Sequence, residues 1–194
     1  FTPGAMTNIN RYDYKWSPND TSPAGFDSQG NPLETKDNMH AFNTRPMALG
    51  TRAHQVAMYT VFESPLQMLC DSPTIYKKEQ ETVDFITQIP TTWDETVVLE
   101  ASVSDYIIIA RKKGNNWYLA GMTDWTPRKF EIDLHFLEQG IDYKAQIYED
   151  GINADRNAMD YKLQKKVINK NTKLNVSMSD GGGFSIIFEF PKNG

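Results

Sequence analysis

Residues 106–122 read YIIIARKKGNNWYLAGM, and this stretch decides the fold of the second half of the chain. Two strand-sized runs, Tyr106–Arg111 and Trp117–Met122, flank the sequence Gly114-Asn115-Asn116. Glycine and asparagine tolerate the positive φ angles of tight hairpin turns. The stretch therefore predicts two antiparallel strands joined by a hairpin.

Runs with a period of two, separated by turn residues, surround this hairpin from residue 91 to the end of the chain. Besides the two strands above, the pattern predicts strands over Thr96–Ser102, Lys129–Leu134, Lys144–Tyr148, Lys165–Asn169, Leu174–Ser177 and Phe184–Phe190. About eight short strands at this spacing predict an antiparallel β-sandwich over residues 91–194. We expect this domain to fold alone, and residues 1–90 to be a separate, incomplete unit.

Residues 46–90 show a helical pattern with one apolar interruption. Apolar residues recur at spacings of three and four as far as Phe62, and Ser64-Pro65 ends that helix. The run Leu66–Cys70 is typical of a strand buried on both faces of a parallel sheet. A second helix is predicted over residues 73–89. Helix, buried strand and helix make half of an α/β unit, so we expect the partner strands to lie outside this chain.

The composition of the whole chain argues against several classes of function. The net charge is −5, and the basic residues are scattered, which argues against nucleic-acid binding. No apolar run approaches the roughly 20 residues that a membrane helix needs, so no membrane span is expected. The single cysteine, Cys70, excludes an internal disulfide, and the three histidines are too far apart for a zinc motif. We also find no pair of carboxylates that would suit a glycosidase.

Two features are candidates for a site, and each has a structural alternative. Asp71 directly follows the predicted buried strand, where barrel enzymes place functional side chains, but capping of the next helix is the explanation that we favour. Residues 1–45 are rich in turn residues and aromatics, including Trp16. A loop of this length either lines a site or is the frayed end of a longer protein.

Five motifs carry a resemblance to a known family. They are FTPGAM (1–6), GTRAHQVAMY (50–59), ESPLQMLCDSP (63–73), WYLAGMTDW (117–125) and YEDGINADR (148–156). In this order they resemble the end of the catalytic barrel and the C-terminal β-sandwich of glycoside hydrolase family 97. That family comprises the α-glucosidases and α-galactosidases of Bacteroides-type bacteria. The implied fold class is α+β: a C-terminal fragment of a (β/α)8 barrel (loop, helix 7, strand 8, helix 8) followed by the sandwich.

The resemblance also implies where the chemistry lies. The catalytic carboxylates and the calcium-binding glutamates of the family would precede Phe1, so no catalytic residue, metal ligand or cofactor site is expected in this chain. The parent enzyme would cleave α-linked glucosides or galactosides, with α-glucosidase as our first expectation. This chain alone would be inactive, and its partners would be the remainder of the barrel and the N-terminal domain. Phe1, Thr2 and Asp71 would lie at the rim of the substrate pocket.

Two further expectations follow. The family resemblance implies a periplasmic or exported parent. The alternative to a purely supporting sandwich is a carbohydrate-binding module, in which exposed indole rings stack on sugars. The candidates for that role are Trp16, Trp117 and Trp125, together with Trp93.

Overall fold

The computed structural model describes residues 8–9, 48–69 and 71–191. Its first elements are β1 (Asn8–Ile9), β2 (Ala48–Leu49), α1 (Arg52–Val61), α2 (Pro73–Lys78) and α3 (Gln80–Ile86). The strands that follow are β3 (Glu95–Ser102), β4 (Tyr106–Lys113), β5 (Asn116–Thr123), β6 (Arg128–Ile132), β7 (Tyr143–Asp150), β8 (Tyr161–Ile168), β9 (Leu174–Met178) and β10 (Gly183–Glu189). All eight strands predicted after residue 90 are therefore confirmed. Their ends differ by at most two residues, except that the strand predicted to begin at Lys165 begins at Tyr161.

These eight strands form two antiparallel sheets. The large sheet has the order β3-β4-β5-β10-β7-β8, and the small sheet pairs β6 with β9. The predicted hairpin joins β4 to β5 in the register Lys113↔Asn116, with Gly114 at a φ of 57° in the turn. The small sheet packs on one face of the large one, which gives the predicted β-sandwich.

One continuous apolar core fills the space between the two sheets. Its largest fully buried side chains come from both sheets and from the β6–β7 connection: Ile108, Leu119, Leu134, Leu137, Tyr143, Met178, Phe184, Ile186 and Phe188. Burying each large apolar side chain contributes roughly 1.5–3 kcal/mol relative to leaving it exposed. This core is what the period-two pattern of the sequence encodes.

The opposite face of the large sheet is covered by helices α1 and α3. Tyr118, Tyr148 and Ile187 of the sheet belong to a second core with residues of both helices, namely Ala53, Val56, Tyr59, Phe85 and Ile86. Alanines on α1 allow its backbone to approach the sheet closely. The end of α1 is fixed by Arg111 of β4, whose guanidinium donates to the Val61 carbonyl at 3.0 Å.

The predicted strand at Leu66–Cys70 is not formed in the structure. Residues 66–69 are neither helix nor strand, Leu66 is 65% exposed, and Cys70 lies outside the described residues. A strand needs neighbouring strands to satisfy its backbone N–H and C=O groups, and none of the described strands pairs with this segment. The barrel fragment of the expected fold class therefore stays a prediction.

The single helix predicted over residues 73–89 is two short helices that meet at Glu79. There the backbone leaves the helical region, with φ −108° and ψ 36°. The Glu79 carboxylate accepts from the Arg52 guanidinium of α1 at 2.5 Å, so the break is tied to the neighbouring helix. Ser72, rather than Asp71, caps α2, because its hydroxyl accepts from the Ile75 N–H at 3.5 Å.

Candidate functional site

Several loops meet at the end of the sandwich where α1 begins, and we call this region the junction. It consists of residues 50–54, the β9–β10 turn at 179–183, the end of β7 at Asp150, and the segment 151–160. The N–H of Thr51 donates to the Gly181 carbonyl at 2.9 Å, and the N–H of Arg52 donates to the Ala158 carbonyl at 2.7 Å. Thr51 is also the N-cap of α1, since its hydroxyl accepts from the His54 N–H at 3.1 Å.

The Asp150 carboxylate is the central polar group of the junction. Its Oδ2 atom accepts from the N–H groups of Ser179 at 2.8 Å and Gly183 at 3.1 Å, and its Oδ1 atom is shielded from solvent. Burial raises the pKa of Asp150 to about 6, although the Thr51 hydroxyl and the two backbone N–H groups favour the charged form. The negative charge of nearby Glu149 raises the pKa further.

A change at Asp150 should therefore alter the pH dependence of stability. Its pKa is about 6 in the fold against 3.8 unfolded, so the stability that it contributes is complete below pH 4 and is lost as the pH rises past 6. The shift corresponds to roughly 2–3 kcal/mol. We expect Asp150→Asn, measured by urea unfolding from acidic to neutral pH, to remove this loss.

The pH dependence of His54 has the opposite sign, which makes the comparison of variant with wild type necessary. Burial lowers the pKa of His54, so its contribution is lost as the pH falls. This residue is the same in both proteins, and its effect cancels in the difference. Equal pH profiles for wild type and Asp150→Asn would contradict the assignment.

His54 lies on the outer side of the junction. Its Nδ1 atom lies 3.1 Å from the Gly182 carbonyl, which can only accept, so Nδ1 carries the proton and Nε2 is left as an acceptor. The ring borders a groove of about 380 Å³ between the start of α1 and the β3–β4 hairpin. Tyr106, Ile107 and Met122 form other parts of its wall.

The hairpin beside this groove is held by a cluster of polar contacts. The Arg128 guanidinium binds the Asp124 carboxylate and lies 5.0 Å from the centre of the Tyr106 ring. The N–H of Asp124 donates to the Asp105 carbonyl at 2.7 Å. Hydrogen bonding to Arg128 lowers the pKa of Asp124, so this carboxylate is charged at neutral pH.

A second polar network fixes α3 to the sheet. The hydroxyls of Tyr148 and Thr82 lie 2.9 Å apart, and the Tyr161 hydroxyl donates to Glu81 at 2.7 Å. The two tyrosine rings stack at 4.6 Å with an angle of 7° between their planes. This network joins elements and exposes no reactive group.

The predicted site residues that the structure describes include Asp71, Trp117 and Trp125. Trp117 is 2% exposed and packs against Phe136 in the main core, so it offers no ring face to a sugar. The Trp125 ring lies against Gly181 of the junction and is half-buried. The N–H of Asp71 donates to the Tyr76 hydroxyl. Phe1, Thr2 and Trp16 lie outside the described residues.

The geometry supports structural roles for the polar groups found here. Within residues 48–69 and 71–191, no three His, Cys, Asp or Glu side chains are close enough to hold a metal ion. None of the helices in the described ranges has the length and apolar character needed to cross a membrane.

The sequence analysis did not identify the junction, although two of the quoted motifs, residues 50–59 and 148–156, supply most of its residues.

Comparison with known proteins gives these observations a context. Residues 92–189 match a family model described as "Glycosyl-hydrolase 97 C-terminal, oligomerisation". A retaining alpha-galactosidase of Bacteroides thetaiotaomicron is 45% identical over 152 residues, which is 78% of this chain and 23% of that protein. A probable retaining alpha-galactosidase of Streptomyces bingchenggensis is 24% identical and matches 74% of this chain and 21% of its own length.

A solved structure shows the same relationship. A glycoside hydrolase family 97 enzyme from Pseudoalteromonas sp. strain K8, in complex with acarbose, superimposes with a TM-score of 0.72 at 36% identity. The match covers 74% of this chain and 23% of that enzyme. The chain thus spans less than a quarter of the length of these relatives. Its β-sandwich and the family match over residues 92–189 together show that the chain belongs to glycoside hydrolase family 97 and contains the family's C-terminal domain.

Proposed function

We propose that the chain is the C-terminal part of an enzyme that hydrolyses α-linked galactosides. The observation that carries this proposal is the 45% identity to a protein named retaining alpha-galactosidase, which extends over 78% of the chain. Our first expectation from the sequence, an α-glucosidase, becomes the second candidate. It is supported by the 36% identical enzyme solved with acarbose, a compound built on glucose-like α-linked rings.

The proposal assigns a supporting role to this chain. The carboxylates at the junction accept hydrogen bonds from backbone N–H groups, so they serve the fold rather than a reaction. We propose that residues 46–89 complete the barrel of the parent, with residues 66–70 pairing there as a strand. Such pairing would cover Leu66 and Met68, which are 65% and 49% exposed in this chain.

An assay of the parent enzyme beside the 194-residue chain tests both statements. With aryl α-galactoside and aryl α-glucoside as substrates, we expect the parent to have the higher kcat/KM on the galactoside. The isolated chain should turn over neither substrate. Turnover by the chain alone would contradict the supporting role, and a preference for the glucoside would favour the second candidate.

Three further proposals concern the parent and depend on the family resemblance. Asp71 lies at the pocket rim, and Asp71→Ala in the parent should lower activity more than Tm. The family resemblance implies calcium in the parent, so a chelator should reduce the activity of the parent. The parent would be exported, which cell fractionation would test.

We also propose that residues 92–189 assemble copies of the parent. The description of the matching family model, which names oligomerisation, supports this role. Sedimentation of the parent against a version cut before residue 92 would test it, because loss of the domain should give a smaller assembly.

A further inference from the structure

A second groove borders the junction, and its lining is acidic. It has a volume of about 480 Å³ and lies between the end of β7, the segment that follows it and the β9–β10 turn. Four carboxylates and one cation line this groove: Glu149, Asp150, Asp155 and Asp180, with Lys162. We call it the acidic groove.

Three of these carboxylates have partners within the chain. Asp150 accepts from two backbone N–H groups of the junction. The Glu149 carboxylate lies 3.5 Å from the Lys162 ammonium group, and the Asp155 carboxylate lies 3.7 Å from the Arg156 guanidinium. Their charges are therefore partly balanced without any partner from outside.

Asp180 is different, because it is buried and has no counter-ion among the described residues. The residue is 8% exposed, and its carboxylate accepts from the Ser179 hydroxyl at 3.2 Å. No described Lys, Arg or His side chain forms an ion pair with it. A buried carboxylate without a counter-ion is costly, whereas a cation that also donates hydrogen bonds stabilises it. The acidic groove is therefore suited to a positively charged group.

The spacing of the carboxylates indicates which kind of cation fits. A calcium ion needs about six to eight oxygen ligands around one point. In the part of the chain that the structure describes, no three His, Cys, Asp or Glu side chains are close enough to hold a metal ion. An arginine has five N–H donors spread over a planar guanidinium, and its aliphatic stem can lie on apolar groups such as Pro127 and Ile152, which also line the groove.

The remainder of the parent is the source of such a side chain that the structure favours. The N–H of Thr51, the N-cap of α1, donates to the carbonyl of Gly181, which directly follows Asp180. Helix α1 belongs to the segment that we propose completes the barrel, so the barrel would pass beside the acidic groove. Most of the length of the relatives lies outside this chain.

We propose that an arginine of the parent, from outside this chain, inserts into the acidic groove and forms an ion pair with Asp180. The inference rests on the proposed function, because it requires the barrel of the parent. It adds a polar contact between the sandwich and the barrel, separate from the apolar contact proposed for Leu66 and Met68.

Titration of the 194-residue chain with N-acetyl-L-arginine amide tests the site, with the amide NMR signals of Gly181 and Gly182 as the readout. We expect saturable shifts of these signals. Asp180→Asn should weaken the binding by at least about tenfold, because the charge-assisted hydrogen bonds are lost. The neutral analogue N-acetyl-L-citrulline amide should bind the unchanged chain more weakly by a similar factor.

Two further variants sharpen this titration. Lys162→Met should tighten the binding of the arginine probe about twofold or more, because it removes the cation that lines the groove. Asp133→Asn is the matched control, since the Asp133 side chain is 82% exposed and lies outside the groove. This control should bind the probe as the unchanged chain does.

The parent enzyme tests the occupant. There we expect Asp180→Asn to lower Tm by about 2 °C or more, because it breaks a buried ion pair. In the 194-residue chain the same substitution should leave Tm unchanged or raise it, since it removes a charge that has no counter-ion. This opposite response distinguishes the proposed ion pair from a purely structural role of Asp180 in the turn.

The outcomes separate this proposal from those above. The absence of saturable shifts, equal binding of the citrulline analogue, or full binding by Asp180→Asn would overturn the site. An equal change of Tm in the chain and the parent would overturn the occupant. Calcium chloride that produces the same shifts as the arginine probe would also overturn the proposal, by assigning the groove to a metal ion. The glycosidase proposal depends on the substrate assay of the parent alone.

Discussion

A chain cut back to residues 91–194 should lose cooperative folding. The cut removes α1 and α3, which cover the central strands on one face of the large sheet. It would expose Tyr118 and Tyr148, which are 6% and 0% exposed in the chain, together with Ile187. Each large side chain loses roughly 1.5–3 kcal/mol of burial, and a few of them equal the typical net stability of about 5–15 kcal/mol.

Near-ultraviolet circular dichroism and urea unfolding of residues 91–194 would measure this loss. The matched control is residues 48–194, which keeps both helices and should unfold in one transition. This expectation reverses the one drawn from the sequence, in which the sandwich folds alone. A cooperative transition of equal midpoint in both fragments would show that the sandwich folds without the helices.

Gly183→Ala should destabilise the chain by about 3 kcal/mol or more, because two stretches of backbone pass on either side of this residue. A Cβ atom at position 183 would lie 2.8 Å from the Gly121 carbonyl oxygen and 2.8 Å from the His54 Cα. Neither neighbour is the mobile end of a side chain. The substitution therefore has to move α1 away from β10, which would also disturb the hydrogen bonds at the junction.

The result can be read from thermal or urea unfolding, with Gly114→Ala as the control. Gly114 has a φ of 57°, and a Cβ there would meet nothing within 4 Å. Gly114→Ala should therefore lower the free energy of unfolding by only about 1 kcal/mol, the cost of a left-handed backbone at a residue with a Cβ atom. A Gly183→Ala variant no less stable than Gly114→Ala would show that α1 is not held closely against the sheet.

The strands were predictable because their information is local. Alternation places every second side chain in the core, and residues such as Gly114 mark the turns. The run 66–70 is equally apolar, but residues 66–69 pair with none of the described strands. Composition indicates burial, whereas a strand also needs hydrogen-bonding partners that a local pattern does not specify.

The junction could not be predicted because its contacts are distant in the sequence. His54 meets Gly182, and Asp150 meets Ser179 and Gly183, across separations that no periodic pattern records. The burial of Trp117 depends on a contact that is also distant in the sequence. Its position beside a hairpin already argued against sugar stacking, and Phe136, from a later segment, packs against its ring.

The position of α1 has a consequence for synthesis on the ribosome. The helix lies against β5 and β10, and its first residues bind the turn that precedes β10. Because β10 is the last of the described strands, α1 leaves the ribosome long before its packing surface has been synthesised. The apolar side of α1 therefore stays exposed to solvent until nearly all of the sandwich has been synthesised. A chaperone that binds unfolded chains would bind this side of the helix.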